Sequence, residues 1–133
     1  TISSIIQAEG EQKDFAKVSR VIYNRLTIGM PLQMDSTVHF VKKLRGEILL
    51  SSQSTLVNSP YNTYKKYGLP PGPIGNPGLN AMKAAVAPAA GDWLYFITVA
   101  PQDTRFTSSL DEFNKWKVIY KKNLRDGKFE DKE

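Results

Sequence analysis

Five of the chain's eight prolines and four of its nine glycines fall within residues 59–78, SPYNTYKKYGLPPGPIGNPG. Proline fixes φ and removes a backbone donor, so regular helices and strands have to lie on either side of this stretch. Tyr61, Tyr64 and Tyr67 run through it. A flexible linker is rich in glycine and serine and a spacer in proline, and neither carries large flat rings. The segment requires a core or a ligand to cover those rings.

Before it, Ile2, Ile5 and Ile6 follow helical spacing, and the next position on that face is Glu9. Gly10 follows as the expected C-cap glycine. A second helix is expected over 14–26, with Asp14 as N-cap and Phe15, Val18, Val21, Ile22 and Leu26 on its inner face; Asn24 and Arg25 lie beside that face. Gly29-Met30-Pro31 turns the chain, residues 32–34 read as extended, and Asp35 or Ser36 can cap a third helix carrying Val38, Phe40 and Val41. Residues 45–58 show no clear pattern.

After it, Asn76 and Pro77 stand in the order of N-cap and first helical residue, ahead of an apolar stripe of Leu79, Met82 and Val86 that stops near Pro88. Residues 93–99 read as a buried strand with Arg105-Phe106-Thr107 as its hairpin partner. Ser109-x-x-Glu112 is a capping box, and Phe113, Trp116, Tyr120 and Leu124 share one face of the final helix. These elements predict an α+β fold: a mostly helical single domain over 1–125 with a small antiparallel sheet or hairpin. The charged tail at 126–133 is expected to fray.

A length of 133 residues suits one domain, and 41% hydrophobic against 23% charged residues argues against disorder. With no cysteine and His39 as the single histidine, neither a disulfide nor a transition-metal site is expected. A net charge of +5 favours polyanions. Much of it lies in Lys115, Lys117, Lys121, Lys122 and Arg125 along the final helix, which reads as a solvated face, so nucleic acid is not expected as a partner. No stretch has the length of a transmembrane helix, and membrane contact would come only through a segment outside this chain.

Glu9 is the first candidate for chemistry. An ionised carboxylate on an apolar face is costly, and burial raises its pKa, which suits a general acid. The competing role is a helix-end partner for Lys13, Lys17 or Arg25. Asp35 is the candidate second carboxylate that hydrolysis of a glycosidic bond would use, or simply a helix N-cap. No G-x-S-x-G stretch supports a serine hydrolase.

Taken together, Glu9, Asn24-Arg25-Leu26, residues 29–38 (GMPLQMDSTV) and the block 59–78 closely resemble the YceG-like family, the MltG-type endolytic murein transglycosylases, over nearly the whole chain. The resemblance implies a lysozyme-like glycan cleft. It also implies non-hydrolytic cleavage of the β-1,4 bond between N-acetylmuramic acid and N-acetylglucosamine, leaving a 1,6-anhydromuramyl end. Glu9 would act as acid and then as base, with no cofactor and no metal. The Pro/Gly block would wall the cleft, with substrate contacts spread over Asn24, Gln33, Asp35, Ser36, Tyr61, Asn62, Thr63, Tyr64, Gly75 and Asn76; Tyr61 and Asn76 would also brace the loop. Peptidoglycan strands are the implied partner, with proteins of wall synthesis as a wider expectation. Family members usually carry a membrane helix and a LysM-like region ahead of this domain, so a single-pass anchor with the domain facing the periplasm or cell exterior is expected. The alternatives are a hydrolytic muramidase using Asp35 and a peptidoglycan-binding module without activity.

Overall fold

In a computed structural model, which describes residues 1–44 and 57–129, the core forms where three short helices meet. Expectations for 45–56 and 130–133 lie outside the described residues. Helix α1 (Ile2–Glu9) contributes Ile5 and Ile6, α2 (Phe15–Thr27) contributes Phe15, Val18 and Ile22, and α4 (Leu79–Val86) contributes Ala81, Ala84 and Ala85. Leu32 and Met34 close this core from the segment ahead of α3 (Asp35–Leu44). Each fully buried aliphatic side chain is worth about 1.5–3 kcal/mol of transfer energy.

The α4 stripe is a correction. Leu79, Met82 and Val86 are 63%, 45% and 84% exposed, whereas the alanine face packs against α1 and α2. Small side chains let helix backbones approach closely, so the face with less apolar area makes the contact. Nor does Asn76 cap this helix, whose N-cap is Gly78.

Glycines end helices here in two ways. After α2, Gly29 has φ +72, its amide bonds Leu26 O at 3.3 Å, and Met30 N bonds Arg25 O at 2.9 Å, a complete Schellman motif. After α1, Gly10 is extended (φ −115, ψ 164) and is no left-handed cap. Space explains it instead, because a Cβ there would sit 3.0 Å from Val18 Cγ2. Asp14 occupies the N-cap position of α2 but makes no capping hydrogen bond. Gln33 departs from the extended reading of 32–34 with φ +52, the left-handed region.

The expected hairpin forms: β1 (Tyr95–Ala100) pairs antiparallel with β2 (Asp103–Thr107), Phe96 opposite Phe106, with a bulge between Thr98 and Ala100. Its burial is lower than the apolar run implies, only Val99 of β1 being buried. Helix α5 (Leu110–Arg125) packs on β1 and buries no residue fully. Half of its capping box is present: Ser109 Oγ accepts from Glu112 N at 3.2 Å, while Ser109 N donates to Thr107 Oγ1 at 3.0 Å. Leu124 falls off the expected face, at 52% exposure. Residues 127–129 are tied back to α5. Gly127 (φ +78) bonds Leu124 O, Lys128 N bonds Asn123 O, and Phe129 packs edge-on to Tyr120 at 5.4 Å.

Candidate active site

Glu9 is the last residue of α1 and faces the start of α3. The first amides of a helix have no intrahelical acceptor, and Glu9 Oε2 accepts one of them, Ser36 N–H, at 2.8 Å. The cap of α3 is therefore a carboxylate from another helix, not Asp35 or Ser36 as the local sequence suggests. Burial pushes the Glu9 carboxyl above its ordinary range, and the Asp35 charge adds to this; the bonds from Ser36 and the neighbouring His39 pull it back. The result is a carboxyl group that holds its proton longer than an exposed one. None of the three expected cationic partners pairs with it. Lys13 Nζ bonds Gln102 O at 2.5 Å, Lys17 lies over the Trp93 and Phe106 rings, and Arg25 Nε bonds Leu94 O at 2.6 Å while its Nη1 reaches Leu32 O.

The Pro/Gly segment is stitched onto this centre. Thr63 Oγ1 accepts from Met34 N at 2.8 Å and lies 2.9 Å from Thr37 Oγ1, and Gln33 N bonds Thr63 O at 3.2 Å. Asn62 spans its own turn, its Nδ2 donating to Val57 O at 2.7 Å and its Oδ1 accepting from Tyr64 N at 3.0 Å. Farther along, Ile74 N bonds Ser4 Oγ and Gly78 N bonds Gln7 Oε1, which ties the segment to α1. Tyr64 donates its hydroxyl to Asp35 Oδ1. Burial and that carboxylate push the Tyr64 pKa up, so the hydroxyl remains a donor.

A cleft of about 450 Å³ opens beside these groups, within the range of small-ligand sites. Glu9, Arg25, Gln33, Met34, Asp35 and Tyr64 line it on one side. Phe96, Ile97 and Thr98 of β1 face them, with Phe113, Lys117, Tyr120 and Lys121 of α5. Of the expected site residues, the structure thus brings together Glu9, Gln33, Asp35 and Tyr64.

The others are placed differently. Asn62 and Thr63 are 0% and 1% exposed, so they brace the loop and present no surface to a ligand. Tyr61 packs on Phe40 at 4.9 Å between ring centres. Asn24 Nδ2 is taken up by Trp93 O at 2.9 Å and Gly91 O at 3.3 Å. Gly75 and Asn76 are exposed and line neither cavity described here. Ser36 contributes its amide to Glu9, and its side chain borders a smaller cavity of about 310 Å³ with His39, Lys43 and Ile74. Among the described residues no cluster of three His, Asp or Glu side chains could hold a metal.

Sequence reasoning missed the far wall. Lys117 and Lys121 belong to the cleft as well as to a solvated face, and the signal was there: Phe113, Lys117, Tyr120 and Lys121 share helical spacing. Arg25 was also missed as a lining residue; it is 5% exposed and sits 5.4 Å from the Tyr95 ring.

Comparison with known proteins places this geometry. The sequence model of the YceG-like family matches residues 1–118. An endolytic murein transglycosylase of Bacillus subtilis is 42% identical over 122 residues, covering 90% of this chain and 33% of that protein. One of Streptococcus pneumoniae (strain D39) is 37% identical over 102 residues, covering 73% of this chain and 18% of that protein. The crystal structure of a YceG-like protein from Listeria monocytogenes superposes with a TM-score of 0.77 at 43% identity, covering 86% of this chain and 37% of that one. The chain thus spans a third or less of the length of the Bacillus and Streptococcus relatives.

Proposed function

The chain belongs to the YceG-like family, and from that membership we propose that its cleft is the catalytic centre of an endolytic murein transglycosylase with Glu9 as the single acid and base. Glu9 gives its proton to the glycosidic oxygen as the bond from muramyl C1 breaks. The C6 hydroxyl of the same sugar then bonds to C1 and returns its proton to Glu9. Atoms balance without water, and the product carries a 1,6-anhydro ring. The observation that carries this reading is Glu9 itself: a carboxyl group lining a cleft, raised by burial, with one oxygen anchored on Ser36 N–H. Asp35 accepts from Tyr64 in the same cleft, where its charge helps keep Glu9 protonated.

The names of the Bacillus and Streptococcus relatives support murein as the substrate. No helix among the described residues is long and apolar enough to cross a membrane. In the full-length protein we place this domain outside the cytoplasmic membrane, on an anchor that lies beyond this chain. Mass spectrometry of uncrosslinked glycan strands after incubation tests the chemistry. Anhydromuramyl ends that vanish with Glu9→Gln are expected. Reducing ends heavier by one water, lost with Asp35→Asn, would instead make the protein a muramidase, and binding without cleavage would make it a binding module.

A further inference from the structure

The far wall of the cleft holds two cations that have no counter-ion among the described residues. Lys117 and Lys121 sit one turn apart on α5, both exposed, and α5 buries no residue, so neither is there to fill a core. Among the described residues neither makes a hydrogen bond or ion pair; the side-chain ion pairs described are Arg105 with Asp103 and Arg125 with Asp126, and Lys117 only lies 5.6 Å from the Phe113 ring. The acids across the cleft are engaged elsewhere, Glu9 by Ser36 N–H and Asp35 by the Tyr64 hydroxyl. Phe113 and Tyr120 line the same cleft as the two lysines.

Neutral sugars need aromatic faces and hydrogen-bonding groups, not two adjacent cations without counter-ions. We propose that Lys117 and Lys121 form a carboxylate-recognising rim, so that the cleft takes a glycan bearing acidic groups beside the sugar that packs against Tyr120. This rests on the murein reading above. In murein the carboxylates have two sources: the stem peptide, or the lactyl group freed when the peptide is removed. The rim selects substrate; it takes no part in proton transfer at Glu9.

The test measures dissociation constants on the Glu9→Gln background, where strands are not cut. The probes are strands with intact stem peptides, peptide-stripped strands, and stripped strands with their carboxylates converted to amides. Exposed ion pairs are individually weak, so the charged strands should bind about three- to tenfold tighter than the amidated ones at low salt. Adding K117Q and K121Q should abolish the preference, and K117E with K121E should reverse it. Both side chains are exposed, so the melting temperature should stay close to that of the parent. Whichever charged strand is preferred names the source. A parent without preference, or a preference that survives K117Q and K121Q, overturns the proposal. Equal binding of all three strands removes the rim alone, whereas failure to bind any strand, with no anhydro ends from the unsubstituted chain, removes the murein reading with it.

Discussion

The two walls of the cleft are built by different physics. On the Glu9 side, hydrogen bonds between buried polar groups do the holding: Asn62, Thr63 and Thr37 are fully or nearly fully buried and hydrogen-bonded, and Glu9 accepts from the Ser36 amide, although Ser36 Oγ is left without a partner among the described residues. On the α5 side no residue of the helix is buried, and it meets β1 through partly buried rings, Tyr95 on Phe113 at 5.2 Å, with a side-chain bond from Asn123 Nδ2 to Val99 O at 2.8 Å. Hydrogen bonds in a low-dielectric interior are directional and costly to break, so the first wall can hold the Glu9 carboxyl in one geometry. Stacked rings tolerate sliding and suit recognition. The acid sits on the hydrogen-bonded wall and the two cations without counter-ions on the ring-packed one.

The largest effect expected is on turnover. Glu9→Gln keeps the acceptor for Ser36 N–H but cannot donate a proton to the leaving oxygen, so anhydro-product formation should fall by about 10²- to 10⁴-fold. Stability should move the other way. With its pKa raised, Glu9 keeps a proton in the fold that the unfolded chain releases near the ordinary value of 4.5, so the wild type loses stability as pH climbs from there through the raised folded value. Glu9→Gln should remove that decline, seen as a flatter melting temperature between acid and neutral pH. A variant that is active but destabilised would return Glu9 to a purely structural role.

Asn62→Ala tests the hydrogen-bonded wall away from the chemistry. It leaves Val57 O and Tyr64 N without their side-chain partner in a buried turn, and urea unfolding should show a loss of about 1–3 kcal/mol. A loss of glycan affinity with unchanged stability would instead make Asn62 a ligand contact. On the other wall, a double-mutant cycle on Tyr95 and Phe113 should give a coupling of only about 0.5–1.5 kcal/mol, the usual range for an aromatic pair. Coupling well above that range would erase the contrast between the walls.

The smallest effect belongs to Asp35→Asn. It removes a negative neighbour that helps hold the Glu9 proton, so the alkaline limb of the kcat/KM profile should move to lower pH while substantial turnover remains. A limb that stays in place would disconnect Asp35 from Glu9. Abolished turnover with an intact fold would restore a two-carboxylate mechanism.

Much of this molecule was legible along the chain because it is written at short range. The helical spacing of Ile2, Ile5 and Ile6 ends on Glu9, the Ser109 cap bonds the amide three residues on, and the apolar run from Trp93 pairs across a tight turn with Phe106. Each of these is a relation between residues a few positions apart, fixed by helix period, cap chemistry or a hairpin. Other features rest on contacts that no local pattern encodes. Periodicity marked Leu79, Met82 and Val86 as the inner face of α4, yet only the approach of α1 and α2 decided that the alanines go inward. Ser36 N finds its acceptor 27 residues away and Met34 N finds Thr63 Oγ1 29 residues away, which is why α3 appeared to cap itself and why Asn62 and Thr63 read as ligand contacts. Lys117 and Lys121 looked like an ordinary solvated face because a helix records which side chains share a side, and only the packing of α5 on β1 aims that side at Glu9.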